Sequence, residues 1–224
     1  EQEGRIQWHQ SVLDVPLNSG NWTIMARTNR LVSTYAKMLR DEGFVYSRKG
    51  HPSIAPKIYD AMMDWESWTK GESLSGPQIR NVYSYMNNAY EKGFGPRSGK
   101  LQALTENDLV TMDEAMGTLG LLRDKELRWH EALDKIDLET KTYILNALKR
   151  GENVKHPRIN LSTIHGMKGG ECDNVLVVPD LSYAAAGELK RGGNVEHRVF
   201  YVAVTRAKKE LHVMAPITNQ YYDI

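Results

Sequence analysis

Between the apolar runs INLSTI and NVLVVPDL the sequence places LSTIHGMKGGECD, residues 161–173. Thr163, His165 and Lys168 carry donors suited to phosphate oxygens, and Glu171 can accept from a ribose hydroxyl. Gly166, Gly169 and Gly170 let a backbone approach such a ligand closely. Loops at the carboxyl ends of strands in open parallel sheets are where those folds hold ligands. A tight connection with a solvated surface uses the same residues, and types and spacing leave both readings open. No G-x-x-x-x-G-K-[ST] and no G-x-G-x-x-G occurs, so no complete phosphate cradle is encoded. Any nucleoside triphosphate would meet this chain as one wall of its site. Cys172 has no base assigned beside it and reads as a small apolar filler.

The second chemistry-bearing run is EHRVFYVAVTRAKKEL, starting at Glu196. As a helix it turns Val199, Phe200, Val202 and Ala203 inward and leaves Arg198, Tyr201 and Arg206 for other surfaces. Arg206 is read either as a cation favoured by the helix C-terminal dipole or as a fixed charge reaching a γ-phosphate.

These residues need a scaffold. GRIQWH alternates as a short strand, NWTIMA is a compact apolar run, and Thr28 or Asn29 can cap a helix with Leu31, Tyr35, Met38 and Leu39 at helical spacing and Gly43 at its stop. FVYS is the next strand. From about residue 52 to 155 the pattern becomes Trp-, Tyr- and Met-bearing helices parted by breaks such as KGESLSGP and KGFGPRSGK. INLSTI, NVLVVPDL, a small-residue loop (YAAAGELKRGGN), the Glu196 helix and ELHVMAP then resume the strand–helix alternation. The expectation is an α/β open parallel sheet flanked by helices, built from 1–51 and 156–224 and interrupted by an all-helical subdomain over 52–155. Trp65, Trp68, Tyr83, Tyr85, Met62 and Met63 read mainly as core of that subdomain, with base stacking as the alternative.

The 224 residues carry a formal net charge of +1, so the total supports no nucleic-acid partner. One cysteine excludes an internal disulfide framework and a multi-cysteine zinc site, and fits a cytosolic protein. No apolar run is long enough to cross a bilayer, and no metal site is expected. The start, EQEGRIQWHQ, lacks a methionine and a signal-peptide core, and reads as a piece of something longer.

Taken together, STIHGMKGGECDNVLVV resembles motif V of the UvrD/Rep-type superfamily-one helicases (T-x-H-x-x-K-G-L-E-F). EHRVFYVAVTRAKKEL resembles their motif VI (E-x-R-x-x-Y-V-A-x-T-R-A), and TIMARTN is similar to motif IV. The family's usual leucine is Gly170 here and its phenylalanine is Cys172. The resemblance implies the second RecA-like motor domain of an ATP-dependent DNA helicase, with an inserted helical subdomain. ATP with Mg2+ would be bound mainly by a preceding N-terminal RecA-like domain, and the isolated chain would be inactive. Position by position, it implies Arg27 and Arg206 on the γ-phosphate, converging on one edge of the nucleotide, and Glu171 with Gly169 at the ribose. Tyr201 and Arg198 would support that site. Thr163, His165 and Lys168 would hold single-stranded or partly duplex DNA. The competing reading is a non-catalytic binding module derived from the motor fold.

Overall fold

The computed structural model describes residues 5–167 and 170–224. The chain divides into two compact units, Glu1–Ser53 with Asn146–Ile224, and Ile54–Leu145. The first unit opens with β1 (Arg5–His9), β2 (Trp22–Ala26), α1 (Asn29–Asp41), β3 (Tyr46–Arg48) and β4 (His51–Pro52). The second holds α2 (Pro56–Thr69), β5 (Leu74–Ser75), α3 (Gly76–Ser84), α4 (Gly99–Ala103), β6 (Leu109–Val110), α5 (Met112–Thr118) and α6 (Trp129–Ala132). Helix α7 (Leu138–Lys149) leads back to β7 (Ile159–Thr163), β8 (Cys172–Val177), α8 (Tyr183–Lys190), α9 (Val195–Val204) and β9 (Ala207–Met214).

In the first unit the described strands form one sheet in the order β1-β9-β8-β2-β7-β3-β4. All pairings are parallel except the β3–β4 hairpin. Strand β2 lies between β8 and β7, and all five of its residues are buried, which is why WTIMA is apolar almost throughout. Its side chains alternate between two cores. Ile24 joins Leu31, Tyr35 and Leu39 of α1 on one face, while Met25 joins Ile164, Val199, Phe200 and Ala203 on the other.

Helix α1 starts where Thr28 Oγ1 accepts from the Leu31 amide at 3.3 Å. Gly43, at φ +77°, follows its end, and a Cβ there would sit 2.9 Å from Asn146 Cβ. Leu31, Tyr35 and Leu39 are buried as the spacing predicts, but Met38 is exposed because it lies off the seam. The segment 183–194, expected as a loop, contains α8. Ser182 caps it by accepting from the Ala185 amide, and Ala185 and Ala186 are buried, so strong helix formers with a cap outweigh Gly187.

In the second unit the expectation of helices alone gains a small antiparallel ladder, β5–β6, too short to show as alternation. Trp65, Trp68, Tyr83 and Met62 are core residues, Tyr85 is half-buried and Met63 is exposed. The Trp65 indole donates to Leu127 O at 2.8 Å and that of Trp68 to Val110 O at 3.0 Å. Both rings thus satisfy their polar atoms within their own unit, Trp65 on a loop and Trp68 on strand β6. No described helix is long and apolar enough to cross a membrane.

Candidate functional site

A parallel sheet has a carboxyl edge and an amino edge, and the loop singled out above visits both. Strand β7 ends at the carboxyl edge with Thr163 opposite Ala26. A 3-10 turn, Ile164–Met167, follows. By Cys172 the chain is back at the amino edge, opposite Ala207. Ile164 is buried beneath α9 and anchors the turn, while His165 is exposed. Thr163 Oγ1 accepts from the Gly166 amide at 3.1 Å, and Ser162 Oγ donates to Thr163 O at 3.0 Å. A Cβ on Gly166 would lie 2.6 Å from Ser162 Oγ and 3.2 Å from Thr163 Oγ1, so a side chain there would displace the Ser162 hydroxyl and crowd that of Thr163. Lys168 and Gly169 lie outside the described residues.

At the amino edge stand Glu171 and Arg206. The Cys172 amide donates to Arg206 O at 3.0 Å, which ties the two strand starts together. Glu171 is exposed and its carboxylate is 3.5 Å from Lys208 Nζ. The Arg206 side chain folds back on the last turn of α9, its Nε donating to Val202 O at 3.0 Å and one terminal nitrogen to Thr205 Oγ1 at 3.1 Å. Among the described residues no carboxylate pairs with it, so its charge is fixed in place yet uncompensated. Cys172 is half-buried against the α9-side core and its thiol donates to Asn21 O, in keeping with a filler.

Arg27 belongs to the other edge. It follows β2, and its guanidinium makes a two-pronged contact with Glu196 in the first turn of α9, Nε to Oε2 at 2.7 Å and a terminal nitrogen to Oε1 at 2.9 Å. The Glu196 hydrogen bond raises the arginine pKa above its ordinary value against the opposing effect of burial. Arg27 is thus held at the first turn of α9 through Glu196, and Arg206 at its last turn through Val202 and Thr205. Six residues of helix α9, roughly 9 Å of rise, separate Glu196, the partner of the first, from Val202, whose carbonyl anchors the second. A crossover helix runs from carboxyl to amino edge, so its two ends lie near different edges of the sheet.

The outer face of α9 carries Arg198, Tyr201 and Thr205, all exposed and spaced three and four residues apart, leading toward Arg206. Tyr201 is 69% exposed, so it lines an open surface. The helix is clamped from the C-terminal segment. Tyr222 stacks on Phe200 with ring centres 4.4 Å apart, its hydroxyl lies 2.8 Å from His197 Nδ1, and buried Asp180 accepts from the Ile217 and Thr218 amides. The cations of residues 148–158 are partly spent within the first unit. Arg150 lies over the Phe44 ring and Arg158 pairs with Glu152 at 2.9 Å.

The model of the UvrD-like helicase C-terminal domain matches residues 76–216, which is more than half of the chain and includes both Glu171 and Arg206. The chain belongs to that family. Comparison with curated proteins finds no match. The seven-stranded unit is thus the RecA-like sheet of a UvrD-like helicase C-terminal part. Arg27 lies outside the matched span. Sequence reasoning missed Glu196 as its partner, although the glutamate opens the motif VI pattern, because nothing local links residues 169 apart. It also missed Lys208 beside Glu171, which the TRAKKE run places just past the helix end.

Proposed function

We propose that this chain is the C-terminal part of an ATP-dependent DNA helicase or translocase of the cytosol, its first unit a motor domain and its second an inserted subdomain. The observation that carries this reading is the separation of residues on one sheet. Glu171 and Arg206 share the amino edge, Thr163 and His165 share the carboxyl edge, and one short crossover joins them. ATP with Mg2+, bound mainly by an N-terminal RecA-like domain, supplies a transferable phosphoryl group. The residues present fit a phosphate on this side, since Arg206 offers a held guanidinium that pairs with no carboxylate among the described residues.

Each residue then has a defined task. Arg206 stabilises the charge that spreads over the transferring phosphoryl, and Glu171 accepts from the ribose. Tyr201 and Arg198 face the partner lobe from the outer surface of α9. Thr163 and His165, with Lys168, hold the DNA backbone. Because β7 ends at the carboxyl edge and the next strand, β8, starts at the amino edge, closure on the nucleotide and grip on the strand act on successive strands of one sheet. Arg27 is reassigned to positioning: it holds the start of α9, the helix whose far end presents Arg206.

In the full-length protein, Arg206→Ala should lower DNA-stimulated ATP hydrolysis by about 10³- to 10⁵-fold without changing the melting temperature of this chain beyond a degree or two. Parent-level hydrolysis by that variant would end the reading. Replacing Thr163 and His165 together should weaken single-strand binding and DNA stimulation while leaving basal ATP affinity intact.

A further inference from the structure

The β3–β4 hairpin stands beside the DNA-side residues. Strand β3 runs parallel to β7 with Arg48 opposite Leu161, so the two turn residues that follow, Lys49 and Gly50, reach the level of Ser162 and Thr163. Neighbouring strands lie roughly 4.8 Å apart, which puts this turn about one strand spacing from the Thr163 grip. Antiparallel pairing of Arg48 with His51 closes the turn in two residues, with φ of 53° at Lys49 and 79° at Gly50. Such a turn favours asparagine or glycine at both positions. A lysine is nevertheless held there, exposed at the tip. Backbone strain of this kind clusters at ligand clamps and other functional sites.

The charge around the turn has one sign. From Thr28 to Pro52 the only acids are Asp41 and Glu42, both at the far, amino-edge end of α1. Arg30 is exposed in the first turn of α1. Arg48 donates only to neutral oxygens, Ser33 Oγ at 3.0 Å and Asn29 Oδ1 at 3.3 Å, which aligns it over that same turn. Among the described residues no carboxylate pairs with Arg30, Arg48 or Lys49. The positive end of the α1 dipole adds to the same field.

We propose that the β3–β4 turn is a phosphate-contacting element that continues the single-stranded DNA track past Thr163, with Lys49 and Arg48 as the contacting cations. This rests on the assignment of the carboxyl edge to DNA. The contacts are to the backbone and therefore independent of base sequence.

The test is fluorescence anisotropy of a labelled oligothymidylate titrated with the 224-residue chain over a salt series. Lys49→Gly is the informative variant, because glycine suits the left-handed backbone and the fold is spared. It should weaken binding roughly threefold at low salt and flatten the slope of log K against log salt by about 0.7, the signature of one lost single-strand phosphate contact. Adding Arg48→Ala should bring the loss to about tenfold and the slope change to about 1.4. Lys149→Ala, at the end of α7 near the amino edge, should leave both quantities unchanged. Parent affinity and slope in the Lys49→Gly and Arg48→Ala variants, with weakened binding in the Thr163→Ala/His165→Ala variant, would overturn the hairpin and keep the DNA edge. The reverse pattern would keep the hairpin and remove the Thr163–His165 grip. No binding by the parent chain would overturn both.

Discussion

Removing the Arg27 side chain tests the division of roles between the two arginines. Glu196 has a side chain only 1% exposed, and Arg27 supplies both of its charge-assisted hydrogen bonds. Arg27→Met keeps much of the volume but leaves a buried carboxylate without its cation. Breaking a buried pair from one side costs about 3–5 kcal/mol. Because Arg27 is itself 22% exposed and water can reach the gap, the lower end, about 3 kcal/mol, applies. For a chain of this size each kcal/mol moves the melting temperature by about 2–4 °C, so the expected drop is roughly 6–12 °C by calorimetry or circular dichroism. Arg27→Met/Glu196→Leu should recover most of that loss, since apolar replacement of both partners is often close to neutral. The coupling between the two sites is then read from the double-mutant cycle. Well below its melting temperature, full-length Arg27→Met should hydrolyse ATP within about tenfold of the parent, far from the 10³-fold loss expected of a phosphate-contacting arginine. A melting temperature within 2 °C of the parent, together with abolished hydrolysis, would refute the clamp and return Arg27 to the nucleotide.

Two further outcomes follow from the geometry. Gly166→Ala should lower single-strand affinity without lowering ATP affinity in the full-length protein, because a Cβ there collides with Ser162 Oγ and crowds Thr163 Oγ1; equal binding by the variant would show that the 3-10 turn shifts freely. His212 is buried, its Nδ1 2.8 Å from His9 Nε2 and its Nε2 3.2 Å from Glu210, with Trp22 against its ring. Burial holds its pKa below the ordinary value despite the carboxylate. The unfolded chain therefore takes up a proton first, and stability should fall as pH drops below about 6.5, an effect that His212→Phe should flatten in melting curves between pH 7.5 and 5.5.

Much of the scaffold was legible from local pattern. WTIMA reads as a buried strand because no polar residue interrupts it except Thr23, and α1 reads from a threonine cap, a helical apolar stripe and Gly43. What escaped were features whose signal is too short or too mixed. Strands β5 and β6 have two residues each, below any detectable alternation. Helix α8 hides behind Gly187 and a small-residue run, although its cap and alanines encode it. At the site, residue identities in 163–171 and 196–206 were readable because spacing within one loop or helix is set by covalent geometry.

By itself, the sequence determined which residues share a loop or a helix face, and therefore that Thr163 neighbours His165 and that Arg206 ends an amphipathic helix. Only the tertiary structure decided which edge of the sheet each group occupies. Strand order and direction come from hydrogen bonds between segments far apart in the chain, such as β2 with β7 and β8 with β9, and no local periodicity records them. For that reason two arginines drawn from separate motifs are held at opposite ends of α9, and Arg27 meets a carboxylate 169 residues away that no local pattern links to it.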